Sequence, residues 1–88
     1  MKIDKSFKDK VVHIRWVDSY AVDFGWQELE DDYSADLCII DSWGRVVYED
    51  NKVIALSANY ANESKQTTKQ VNGKMIIPKV CIEKITSF

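Results

Sequence analysis

Residues 10–18, KVVHIRWVD, alternate so that Val12, Ile14 and Trp16 share one face while His13 and Arg15 share the other, the period of two expected of a half-buried strand. This predicts a first strand. Residues 19–36 hold no sustained period; they contain Gly25 and many acids interleaved with Tyr20, Phe24, Trp26 and Tyr33, and read as a long structured loop with one helical turn near 27–31. A second apolar run at 37–41 leads through Ser42, Trp43 and Gly44 into 45–49, and the glycine predicts a hairpin turn there. Asp50, Asn51 and Lys52 then turn the chain into a further arm at 53–58. Residues 59–70 are polar. Asn72-Gly73 is a strong type I′ hairpin signal, which predicts that 66–71 pairs with 74–77. Pro78 lacks a backbone donor and ends that strand, so a tight turn over 78–81 and a closing strand at 82–86 are expected.

Five or six short strands, a long first loop and a proline-led turn before the last strand predict a mostly-β fold, a small and partly open SH3-like barrel. The rivals are an OB-fold, disfavoured because no helical period falls between the third and fourth strands, and an α+β sheet with a helix over 27–35. With 88 residues the chain is read as one domain, 1–88. Its expected parts are an N-terminal arm at 1–9, a barrel at 10–86 and a mobile loop or hairpin at 59–73. No apolar run approaches the roughly 18 residues that span a bilayer, and residues 1–10 lack the apolar segment of a secretory signal. A cytoplasmic protein with no membrane partner is expected.

Composition sharpens this reading in one respect. Twelve basic and 14 acidic residues leave a net charge of −2, so no global cationic field drives binding to a phosphate backbone and no DNA partner is expected. The charges are segregated, however: residues 18–36 carry seven acids and no base, whereas 51–88 carry six lysines against Glu63 and Glu83. One acidic and one basic face are expected, either attracting each other within the fold or simply solvating it.

The set with most chemical content combines Tyr20, Phe24, Trp26, Tyr33 and Trp43 with Asp18, Asp23, Glu28, Asp31, Asp32 and Asp41. Aromatic faces give flat contact area of low conformational entropy, and adjacent carboxylates hold cations or hydrogen-bond donors. The candidate binding residues are Tyr20, Phe24, Trp26, Trp43, Asp18, Asp23 and Asp41; Tyr20, Phe24 and Trp43 are those expected to be exposed. The competing reading is that a small domain needs its large side chains for packing, Trp16 and Trp26 above all.

Other chemistries find less support. Residues 28–32 lack the alternating ligands, glycine and terminal glutamate of an EF-hand, and Cys38 and Cys81 have neither a second pair nor a histidine at ligand spacing. They read as small core thiols, with a bridge left open if their strands are neighbours. His13, the one histidine, is expected to be a surface strand residue, and three isolated glycines form no phosphate-binding loop. No cofactor, metal or catalytic residue is expected, and a small hydrolase working through the acidic loop is the least favoured function. Lys65, Lys69, Lys74, Lys79 and Lys84 read as a solvated face that also offers contacts to an anionic partner. Asp-Ser-aromatic occurs at both 18–20 and 41–43, which reads as one strand-end solution used twice.

The pattern Trp16-x-Asp18-Ser19, Gly25-Trp26, Ser42-x-Gly44, Glu49-Asp50, Val53-Ile54-Ala55-Leu56 and Ile77-Pro78-Lys79 resembles that of small uncharacterised bacteriophage and prophage proteins, over residues 12–85. The resemblance implies an SH3-like phage accessory protein in the host cytoplasm. Its implied role is to bind a host protein, for instance in counter-defence, or to sequester a host signalling molecule; the alternative reading, of a different class, is an oligomeric small-ligand binder that sequesters a nucleotide-like signal. The chain is also similar to eukaryotic SH3 domains in strand order, but it lacks their Ala-Leu-Tyr-Asp-Tyr segment, tandem tryptophans and Pro-Ser-Asn-Tyr run, so proline-peptide recognition does not carry over. The expected partner is a host protein or a small molecule, and an exposed edge strand offers a route to a homo-oligomer.

Overall fold

The computed structural model describes residues 6–19, 26 and 37–88. It is mostly β: strands β1 (Val11–Asp18), β2 (Cys38–Glu49), β3 (Val53–Ala61), β4 (Gln70–Pro78) and β5 (Ile82–Ser87), with a 3-10 turn at Lys79–Cys81. All pairings are antiparallel, in the order β4-β3-β2-β1-β5, and the sheet is partly open because β4 and β5 form its two ends. No helix among the described residues is long and apolar enough to cross a membrane.

The alternation in β1 is realised as expected. Val12 and Ile14 are wholly buried and Trp16 nearly so, while His13 and Arg15 face outward. These three inward residues pack with Phe7, Val46, Ile54, Leu56, Ile77 and Ile82 into one core. Phe7 shows that the N-terminal arm contributes to packing. It is held by a turn in which Asp9 N–H donates to the Val46 carbonyl (2.9 Å) and Val46 N–H to the Lys10 carbonyl (2.9 Å).

Strand β2 departs from the expected hairpin. It runs unbroken through Gly44 for twelve residues; its first part, to Arg45, pairs with β1, and its second part, from Arg45, pairs with β3. Gly44 therefore marks the point where the strand changes partner. A Cβ there would lie 2.9 Å from the Ser57 carbonyl oxygen and 3.2 Å from the Leu56 Cβ. The glycine serves close backbone approach rather than chain reversal, the other physical use of a missing side chain. The Asp-Ser echo dissolves for the same reason: Asp18-Ser19 closes β1, with Ser19 N–H donating to the Asp18 carboxylate (2.9 Å), but Asp41-Ser42 lies within β2.

The Asn72-Gly73 hairpin is likewise absent. Strand β4 continues through it and pairs with β3, Asn59 opposite Asn72 and Ser57 opposite Lys74, with one register on both sides. Gly73 does adopt the predicted positive φ, 72°, but as a local kink opposite Ala58, whose Cβ would lie 3.1 Å from an added one. Long-range pairing with β3 outweighs the local turn preference. Residues 59–61 and 70–73, expected in a mobile segment, are thus ladder residues.

The turn at 50–52 and the proline-led turn both form as expected. The Asp50 carboxylate accepts from the Lys52 and Val53 N–H groups (2.7 and 2.9 Å) and from the Tyr48 hydroxyl (2.8 Å). Lys79, expected on a solvated face, is instead nearly buried: its Nζ lies 3.1 Å from the Glu49 carboxylate, the two side chains being 16% and 10% exposed. The other Glu49 oxygen accepts from Phe7 N–H (2.9 Å) and the Ser6 hydroxyl (3.2 Å). One carboxylate thereby ties the N-terminal segment, β2 and the 3-10 turn together. Cys38 and Cys81 are free thiols, both half-buried.

Candidate functional site

The antiparallel register of β1 and β2 sets His13 opposite Trp43 and Arg15 opposite Asp41. All four occupy positions alternating with the core residues, so they share the outer face of the sheet. Trp43 is 62% exposed and its ring stacks on that of His13, centroids 4.9 Å apart and planes 24° from parallel. His13 is in turn held by the Asp41 carboxylate, Nε2 to Oδ1 2.7 Å, and Arg15 Nε donates to the same oxygen at 3.0 Å. The hydrogen bond from Arg15, then that from His13, holds the Asp41 carboxyl below the usual carboxylate range. The same Asp41 contact raises the Arg15 guanidinium. Val11 and Ile39, both about half exposed, extend the apolar part of this face on either side, and Lys84 of β5 lies opposite Arg15.

Chemically this is an exposed tryptophan whose orientation is set by its neighbours within the sheet. Stacking and a charge-assisted hydrogen bond lower the rotamer entropy that a free surface side chain would lose on binding. The core face mirrors it: Trp16 Nε1–H donates to the Ser42 hydroxyl (3.0 Å), which points toward the Met75 sulfur at 3.7 Å. Among the described residues no cluster of histidine, cysteine and carboxylates is placed to hold a metal.

Comparison with protein families, curated proteins and solved structures finds no match.

The expected site residues fare unequally. Trp43 and Asp41 come together, but Asp41 is paired with Arg15 and hydrogen-bonded to His13 rather than offered as a bare acid. Asp18 is half-buried, lies opposite Cys38 on the alternate side of β1 from His13, and caps its own strand end. It is not part of the Trp43 face. Trp26 is fully exposed, which removes the packing role considered for it. Tyr20, Phe24 and Asp23, and with them the helical turn near 27–31, lie outside the described residues.

His13 and Arg15 are the members that the sequence reading missed. The signal was available: alternation already put both on the solvent face of β1. Only the expected break at Gly44 kept residues 41 and 43 from being seen as the same face of one continuous partner strand.

Proposed function

We propose that this protein is a non-catalytic binding module of SH3-like build that engages a host protein through the outer face of β1 and β2, with Trp43 as the anchor. The observation that carries the reading is the pre-set Trp43 side chain, exposed yet clamped by His13 and Asp41. Exposed tryptophans ringed by apolar and arginine side chains are the residues on which protein contacts concentrate their binding free energy. The likeness to small phage proteins supports a partner from the host cytoplasm and a role in counter-defence.

Affinity capture from host lysate with the unmodified protein and with Trp43→Ala tests this, each captured partner then being purified and titrated. Truncating a central anchor typically weakens binding by about 2 kcal/mol or more, some thirtyfold. Because Trp43 lies outside the core, the thermal transition of the variant is expected within about 3 °C of the parent. A capture profile that Trp43→Ala leaves unchanged overturns the assignment. So does an equal loss of stability and capture.

A further inference from the structure

On the other half of the sheet a groove of about 240 Å³ runs between the N-terminal segment, the end of β2, Tyr60 of β3 and the start of β4. Lys8, Lys69 and Lys74 line it, with Tyr48, Tyr60 and Gln70, and Asp9 is the acid among the lining residues. Asp9 is already engaged, by Arg45 at 3.4 Å and Lys8 at 3.8 Å. Lys69 and Lys74 have no acidic partner among the described residues. A chain of net charge −2 thus gathers uncompensated cations at one concave place. The Tyr60 ring, which lines the groove, carries the Arg45 guanidinium 3.8 Å from its centroid, a cation–π contact that restrains its orientation. A second cavity of about 280 Å³ shares Tyr60, Gln70 and Val71 with it.

We infer that this groove is a binding site for a phosphorylated small molecule carrying an aromatic ring, of the nucleotide class. The lysines supply point charges for a phosphoryl group. Tyr60 supplies a stacking surface of the kind that bases use, and the Gln70 amide, which both donates and accepts, suits the edge of a base. The site is separate from the Trp43 face and does not depend on the function proposed for that face.

Titrating the ¹⁵N-labelled protein with AMP, adenosine and inorganic phosphate, and following the backbone amides, tests the inference. AMP is expected to produce saturable shifts centred on residues 60 and 69–74 with a dissociation constant below about 1 mM, and adenosine and phosphate alone each to bind at least about tenfold more weakly. Lys69→Gln with Lys74→Gln, both exposed substitutions, should weaken AMP about tenfold or more while the thermal transition holds; Trp43→Ala should leave AMP binding intact. The inference is overturned by shifts that do not saturate or that fall elsewhere, by adenosine or phosphate binding as well as AMP, or by an unchanged affinity in the double lysine variant. A glutamate-rich peptide that binds the groove more tightly than AMP overturns it in favour of an acidic protein segment.

Discussion

Glu49→Gln is the substitution that interrogates the assembly of this fold most sharply. The carboxylate is 10% exposed and holds three partners from two other segments: Lys79 Nζ at 3.1 Å, Phe7 N–H at 2.9 Å and the Ser6 hydroxyl at 3.2 Å. Glutamine keeps one carbonyl oxygen, enough for Phe7 N–H, but turns an amide donor or an uncharged oxygen toward an ammonium that is itself only 16% exposed. Removing one partner of a fully buried pair costs about 3–5 kcal/mol. Here both groups reach the rim and the Phe7 bond survives, so about 2 kcal/mol is expected. For a domain of this size that lowers Tm by roughly 8–16 °C at pH 7.

The effect carries a pH signature. Burial by itself pushes the Glu49 carboxyl up, but the Phe7 N–H, the Lys79 contacts and the Ser6 hydroxyl outweigh it and leave the group below its ordinary value. A carboxyl depressed in the folded state binds fewer protons there than in the unfolded chain. Its contribution is therefore complete above the unfolded value of about 4.3 and fades as pH falls through the folded one. Circular-dichroism melts from pH 7 down to about 2.5 should show the gap between parent and Glu49→Gln narrowing below about pH 4.3. Adding Lys79→Met to Glu49→Gln should recover stability relative to Glu49→Gln alone, since the uncompensated ammonium is removed. Equal melting temperatures at pH 7, or a gap that stays constant into acid, would show that the Glu49 carboxylate does not hold these segments together.

Two further outcomes follow from the geometry. Gly44→Ala would set a Cβ 2.9 Å from the Ser57 carbonyl oxygen, a backbone atom that cannot swing aside; a loss of about 1–3 kcal/mol in urea unfolding is expected, and an unchanged midpoint would show that β2 and β3 are not so closely apposed. Asp41→Asn removes the charge that holds His13 and Arg15, so partner capture should weaken and the Trp43 indole resonance should broaden or shift while Tm stays within about 3 °C; an undisturbed indole signal with full capture would show that the clamp is not what orders Trp43.

What the sequence disclosed and what it withheld have one physical explanation. The inward face of β1, the Asp50 turn, the proline-led 3-10 turn and the closing strand depend on neighbours close in the chain, and all were legible. Gly44 and Gly73 were not, because glycine marks both reversal and close approach, and only the strand that lies opposite decides which. Ser57 and Leu56 decide it at Gly44, and the β3 ladder decides it at Gly73. The Trp43 clamp joins residues 28 positions apart through a register that exists only once β2 is a single strand. Lys79, read as a surface lysine, owes its burial to a glutamate 30 positions away. The groove needed Lys8, Tyr60 and Lys74 from three separate segments, a convergence that no local pattern announces.

That Trp43 anchors a protein partner is tested most directly by placing a photo-crosslinking phenylalanine analogue at position 43 and irradiating cells that express the variant. A discrete crosslinked species is expected from position 43, weaker when Asp41→Asn is added, and none from the same probe at position 65, on the exposed loop before β4. Crosslinking that is absent at 43, or equally strong at 65, would contradict it.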